Sequence, residues 1–107
     1  MNGYQITFFT ELGRRHHHQP LSEWLLLAAR DLGLRGGTIL PAKEGFGSHH
    51  RVHSAHFFWL ADQPQEILFM VTAEEKERLF EFLRIEGIRL FYVMSVVELG
   101  VLGDLGS

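Results

Sequence analysis

Residues 66–99 read EILFMVTAEEKERLFEFLRIEGIRLFYVMSVVEL, and their punctuation decides the fold. Glu66 to Val71 is a strongly apolar strand. Thr72 followed three residues later by Glu75 is a capping-box signature, and Glu74 and Glu75 add negative charge where a helix dipole favours it. The helix runs to about Glu86 and offers Leu79, Phe80, Phe82 and Leu83 as its core face, and Gly87 stops it. Arg89 to Leu99 then reads as a long strand. Its Leu90, Phe91, Tyr92, Val93, Met94, Val96 and Val97 fall on both faces, so neither face can be fully solvated.

Working outward, the first half repeats the strand-helix-strand order. From Tyr4 to Thr10, Tyr4, Ile6 and Phe8 alternate with Gln5 and Thr7, the period of a half-buried strand. A polar run from Glu11 to Gln19 breaks it. Pro20 suits a first helical turn, and Leu21, Leu25, Ala28, Ala29 and Leu32 share one face of the helix that Gly33 closes. Gly36-Gly37 leads into the short strand Thr38-Ile39-Leu40, and Pro41 assigns part of it to an edge or a bulge. Lys43 to Ser54 is polar and glycine-bearing, a loop long enough to project. Ala55 to Leu60 is aromatic-rich and suits a strand, and Asp62-Gln63-Pro64 a turn.

The resulting order βαββαβ is the ferredoxin-like α+β sandwich: an antiparallel sheet with two helices on one face and right-handed crossovers. The opposite face needs a cover that these residues do not supply, and self-association is the economical one. The 107 residues, 12.3 kDa, fit a single domain over 1–107, with a tail at about 100–107 that has three glycines and little to anchor it. Apolar residues make up 46% of the chain, enough for a core without staples, and the absence of cysteine excludes disulfides and thiolate chemistry. A net charge of −3 gives no global reason to expect nucleic acid or an anionic membrane as partner. No signal-peptide pattern opens the chain and no stretch approaches a membrane span, so the expectation is a soluble cytoplasmic protein without membrane insertion.

Three kinds of chemistry compete for the polar segments. Gly45 and Gly47 can adopt positive φ and turn backbone N–H groups towards a ligand, and Arg51 with neighbouring histidines can balance a monophosphate. Phe46 between them is either a stacking surface for a base or a packing anchor, and the whole segment reads equally as a tight turn. The seven histidines of the chain suggest a divalent metal, with His16 and His18, or His49, His50 and His53, as ligands. Spacing weakens that reading. His16 and His18 share a side of an extended chain, but His53 and His56 point to opposite faces of a strand, and no HExxH pattern joins any of them. Catalysis has least support: Ser48 or Ser54 with His53 and Glu11 or Glu44 lacks a nucleophile elbow, and Glu74, Glu75, Glu77 and Glu81 read as a solvated helix face. Trp24 and Trp59 read as core or subunit-interface residues.

Gly37-Thr38-Ile39-Leu40 followed by Gly45-Phe46-Gly47 resembles the Gly-x-Thr-Val and Gly-Phe-Gly signature that opens the T-loop of PII nitrogen-regulatory proteins. The chain is more similar still to a bacterial and archaeal PII-like family, domain of unknown function 190. The marks are Thr10-Glu11, Pro20-Leu21, Gly33-Leu34-Arg35-Gly36-Gly37-Thr38, Gly45-Phe46-Gly47, His53-Ser54-Ala55 and Gln63-Pro64, which span nearly all of residues 4–99.

The resemblance implies a homotrimer, not an enzyme, whose subunit clefts hold an adenine nucleotide. Occupancy would order a T-loop-like segment at about 43–54 and change its fit to a target protein such as a membrane transporter or channel. The ligand-binding residues it implies are Thr38, Gly45, Phe46, Gly47, Ser48, His49, Arg51, His53 and Arg89. Arg84-Ile85-Glu86-Gly87-Ile88-Arg89 is too short for the glycine- and lysine-rich phosphate grip of PII proteins, so fewer phosphates, AMP or ADP, are expected. Ser48-His49 stands where PII proteins have Arg-Gln. The alternative is a His-rich metal-binding or metal-tolerance trimer similar to the divalent-cation tolerance proteins of the same fold.

Overall fold

The computed structural model describes residues 1–41, 44–46, 52–54 and 63–103. Strand β1 spans Asn2–Glu11, the two-residue strands β2 and β3 are Arg15–His16 and Gln19–Pro20, and helix α1 spans Leu21–Asp31. Then come β4 (Gly37–Pro41), β5 (Glu44–Phe46), β6 (Val52–Ser54), β7 (Pro64–Val71), α2 (Ala73–Glu86) and β8 (Phe91–Glu98). The main sheet has the order β4-β7-β1-β8 with every pairing antiparallel. β1 and β4 therefore run the same way with β7 between them, the split βαβ of a ferredoxin-like α+β fold.

Register places the core. Tyr4, Ile6 and Phe8 lie across from Val71, Phe69 and Ile67, and Ile39 lies across from Ile67 on the other side. Because side chains alternate along a strand, these residues share one sheet face. Ile6, Phe8, Ile67, Phe69 and Val71 are buried there under Leu21, Leu25 and Ala29 of α1 and Leu79 and Leu83 of α2. Ala28, Leu32, Phe80 and Phe82 are half-buried at the margin of the same cluster. Trp24 is a core residue, stacked on Phe82 at 5.7 Å between centroids.

Helix α2 starts at a side-chain cap and both helices stop at a left-handed glycine, while α1 starts at Leu21, just after Pro20 of β3, with no side-chain cap. Thr72 and Glu75 complete the capping box: the Thr72 N–H donates to Glu75 Oε1 at 2.8 Å, and the Glu75 N–H donates to Thr72 Oγ1 at 3.2 Å. Gly87, at φ +71, ends α2, with the Ile88 N–H donating to the Leu83 carbonyl at 3.3 Å. Gly33, at φ +86, ends α1 in the same way, with Leu34 N–H on the Ala29 carbonyl at 3.0 Å.

Several boundaries differ from the sequence reading. The polar run after β1 holds the small β2–β3 ladder, in which Arg15 faces Pro20 and His16 faces Gln19. The expected loop 43–54 contains an antiparallel ribbon at its base, with Gly45 opposite His53 and Phe46 opposite Val52. β7 begins at Pro64, a residue expected in a turn, and β8 is shorter than Arg89–Leu99. Just past β8, Leu99 and Met1 exchange two backbone hydrogen bonds, at 2.7 and 2.8 Å, and the last residues of the expected tail, 104–107, lie outside the described residues. The expected strand Ala55 to Leu60, with Trp59, lies outside the described residues.

The sheet face away from the helices carries Phe9, Leu40, Met70, Phe91 and Val93, all exposed in the single chain. Tyr92, Met94 and Val96 of the edge strand β8 are exposed as well, Val96 to 73%. Tyr92 packs in part against Phe8 and Phe80, but among the described residues nothing covers the far side of this strand.

Candidate functional site

At the start of β4 the chain makes a cleft of about 710 Å³ lined by Met1, Arg35, Gly36, Gly37, Thr38, Leu68, Met70, Leu99, Gly100 and Val101. The left-handed Gly33 turns the chain out of α1, Leu34 plugs the core, and Arg35 emerges at the rim. Its Nε stands 3.9 Å from Oε2 of Glu75, whose carboxylate is buried and already fixed by the α2 cap. One carboxylate therefore caps a helix and biases the position of the arginine. Gly37 is required by packing: a Cβ there would meet the Phe69 ring at 2.5 Å and Leu26 at 2.8 Å. Thr38, opposite Leu68, is exposed on the sheet face away from the helices.

Among the described residues Arg35 is the one ionisable side chain lining the cleft, beside leucine, methionine and valine side chains and glycine backbone. Such a set suits a ligand with an anionic end and a flat or apolar body. Arg35 was missed as a site residue in the sequence reading, although it stands inside the Gly33–Thr38 signature.

Of the expected ligand residues, Thr38 lines this cleft. Gly45, Phe46 and His53 fall in the β5–β6 ribbon. Gly47, Ser48, His49 and Arg51 lie outside the described residues, as does His50. Arg89 is far from Thr38 within one chain: it precedes β8, the strand at the opposite edge of the sheet from β4. Its carbonyl accepts a hydrogen bond from Arg14 Nη2 at 2.6 Å.

The expected metal pair His16 and His18 is not what the fold brings together. His17 and His18 adopt left-handed backbone, φ 50 and 66, so consecutive imidazoles no longer point to opposite sides. His16 Nε2 and His17 Nε2 instead converge on Glu86 Oε1, at 2.9 and 3.0 Å. His18 takes no part in this group and contributes its carbonyl, which accepts from Arg15 Nη2 at 2.6 Å. His16 also packs edge-on against Trp24, at 4.3 Å between centroids. The hydrogen bond from His16, and next that from His17, hold the Glu86 carboxyl below its ordinary value of 4.5. Sequence spacing gave no sign of this group, because Glu86 is about seventy residues from the histidines.

No helix among the described residues is long and apolar enough to cross a membrane. The family model of DUF190, described as Uncharacterized ACR, matches residues 3–95. No curated protein matches the sequence. Among solved structures, the PII-like protein TTHA0516 of Thermus thermophilus superposes with a TM-score of 0.66 at 21% identity, covering 90% of this chain and 87% of that one. CPII, a nitrogen regulatory PII-like protein from Thiomonas intermedia solved with ADP, AMP and bicarbonate, gives 0.65 at 22% identity, covering 94% and 91%. CutA from Synechococcus elongatus gives 0.54 at 11% identity, covering 90% and 75%. At these identities the likeness is one of fold.

Proposed function

Because the chain belongs to the DUF190 family, we propose that it is a PII-like regulatory protein that binds a small adenine nucleotide, AMP or ADP, between subunits of a homotrimer. Occupancy then changes segment 43–54 and with it the fit to a target protein, such as a membrane transporter or channel. The observation that carries this reading is the cleft at Arg35–Thr38, where one arginine meets glycine backbone and apolar side chains on the uncovered side of the sheet. The nucleotides bound to CPII, a protein of the same fold, support the ligand class.

The mechanism follows from charge and geometry. A phosphate costs several kcal/mol to desolvate unless donors replace its water, on the order of 1.5–3 kcal/mol coming back per charge-assisted hydrogen bond. Arg35 supplies one such donor, Arg51 a second, and Arg89 of a neighbouring copy a third, since Arg89 and Thr38 occupy opposite edges of one sheet. Three cations suit one or two phosphates better than three, given the short connection between α2 and β8. Gly45, Phe46, Gly47, Ser48, His49 and His53 complete the pocket in this reading, with Phe46 against the base. A ligand that binds the ordered segment better than the alternative shifts the population in proportion to that preference.

Thermal shift with AMP, ADP, ATP and inorganic phosphate in parallel tests the proposal. AMP or ADP should raise the melting temperature in a saturable way and ATP less. Arg35→Ala should abolish most of the shift, while Arg30→Ala, whose side chain pairs with Asp31 on the exposed face of α1, should preserve it. Equal shifts with all four ligands, or none, would overturn it.

A further inference from the structure

We propose that His16, His17 and Glu86 form a binding site for a divalent transition cation of the zinc and copper class, separate from the nucleotide cleft. The ligand atoms of the three residues all lie within 4.8 Å of one another, and both imidazole Nε2 atoms already touch one carboxylate oxygen. A tetrahedral ion with bonds of about 2.0–2.1 Å holds its ligand atoms roughly 3.3 Å apart. The two histidine–carboxylate separations of 2.9 and 3.0 Å need to open by a few tenths of an ångström, and the two imidazole nitrogens, within 4.8 Å of each other, need to settle at the same spacing. Two neutral imidazoles and one carboxylate are borderline ligands, which favour Zn²⁺ and Cu²⁺ over Mg²⁺ and Ca²⁺.

The surroundings are built for the purpose on one side and open on the other. The Trp24 ring, itself stacked on Phe82, fixes the plane of the half-buried His16. The left-handed backbone at His17 and His18 is a conformation that non-glycine residues rarely adopt, and at His17 it is what brings the second imidazole to the carboxylate. His17 is 63% exposed, so an ion has an entry path and a free position for water or a further ligand. A bound cation would tie the β2–β3 turn to the last turn of α2, next to the connection that carries Arg89.

The test uses the full chain with Trp59→Phe, which leaves Trp24 as the single tryptophan, after treatment with a chelator. Cu²⁺ is titrated by quenching of Trp24 fluorescence, and Zn²⁺ by its competition with Cu²⁺. The expected result is saturable quenching at one ion per chain. His17→Asn, chosen because asparagine tolerates left-handed backbone, and Glu86→Gln should each weaken binding at least tenfold. His18→Asn should leave it within twofold. Circular dichroism of each variant establishes that the fold is kept. No quenching by Cu²⁺, equal losses from His17→Asn and His18→Asn, or full retention in Glu86→Gln would overturn the assignment and leave only a hydrogen-bonded clasp.

Discussion

Phe9 and Phe91 face each other across the β1–β8 ladder, ring centroids 5.6 Å apart, on the sheet face that no helix covers. Phe91 is 71% exposed in the single chain. An aromatic pair of this kind beside Val93, Leu40 and Met70 is far more apolar than a solvated sheet face, and a second and third copy would bury it. Light scattering after size exclusion should give about three times the chain mass of 12.3 kDa. Val93→Glu, which places a charge on the edge strand of that face beside Phe91, should yield smaller species. A wild-type monomer at micromolar concentration would contradict the assembly.

Gly37→Ala should destabilise the fold. The new methyl group collides with the Phe69 ring at 2.5 Å, and overpacking of this kind typically costs about 1–3 kcal/mol. Urea denaturation measures it. A loss below about 0.5 kcal/mol, the size of an ordinary surface change, would mean that the β4 edge yields easily and that its glycine is not there for packing.

Thr72→Ala removes half of the α2 capping box and should cost about 1 kcal/mol, while Thr72→Ser should cost much less. Because Glu75 also steadies Arg35 at 3.9 Å, the alanine variant should weaken nucleotide binding beyond its effect on stability. Denaturation and ligand titration on the same sample separate the two effects.

The Glu86 carboxyl is expected to titrate below its ordinary value of 4.5 in the metal-free protein. A carboxyl whose folded value is depressed stabilises the fold above its unfolded value, and that contribution disappears as the pH falls through the depressed folded value. Carbon NMR of the Glu86 carboxyl checks the direction. His16→Leu, which removes the larger cause of the shift, should move the titration back up, and an unchanged titration would deny the His16–Glu86 contact.

The sandwich was legible because its signals are local. Thr72 with Glu75, Gly87, Gly33 and the alternation from Tyr4 to Phe8 each state an element or an end within a few residues, and the structure follows them. The bare sheet face was legible too, since β8 is apolar at consecutive positions. Ladders of two or three residues were not: Gln19–Pro20 and Glu44–Phe46 are too short for a period to show. The site was legible only in part. Arg35 follows the local turn at Gly33, but what holds it at the cleft is a buried carboxylate forty residues on, Glu75 of another helix, and that relationship is not local. The histidine pair was misread because an extended chain was assumed, whereas left-handed backbone at His17 turns the second imidazole to the same side as the first. The segment that carries Gly47, Ser48, His49 and Arg51 lies outside the described residues and rests on its residue chemistry and on family resemblance.

Calorimetric titration of ADP and AMP into the assembled protein at pH 7.5 and pH 6 tests the central claim most directly. The account predicts saturable binding with one site per chain. Affinity should rise at the lower pH if His49 or His53 faces the phosphate, because a neutral imidazole gives one hydrogen bond and a charged one adds attraction. Arg51→Ala should weaken binding by roughly 1.5–3 kcal/mol, the worth of a charge-assisted hydrogen bond. Absence of heat and saturation for both nucleotides at millimolar concentration, with the assembly intact at both pH values, would contradict it.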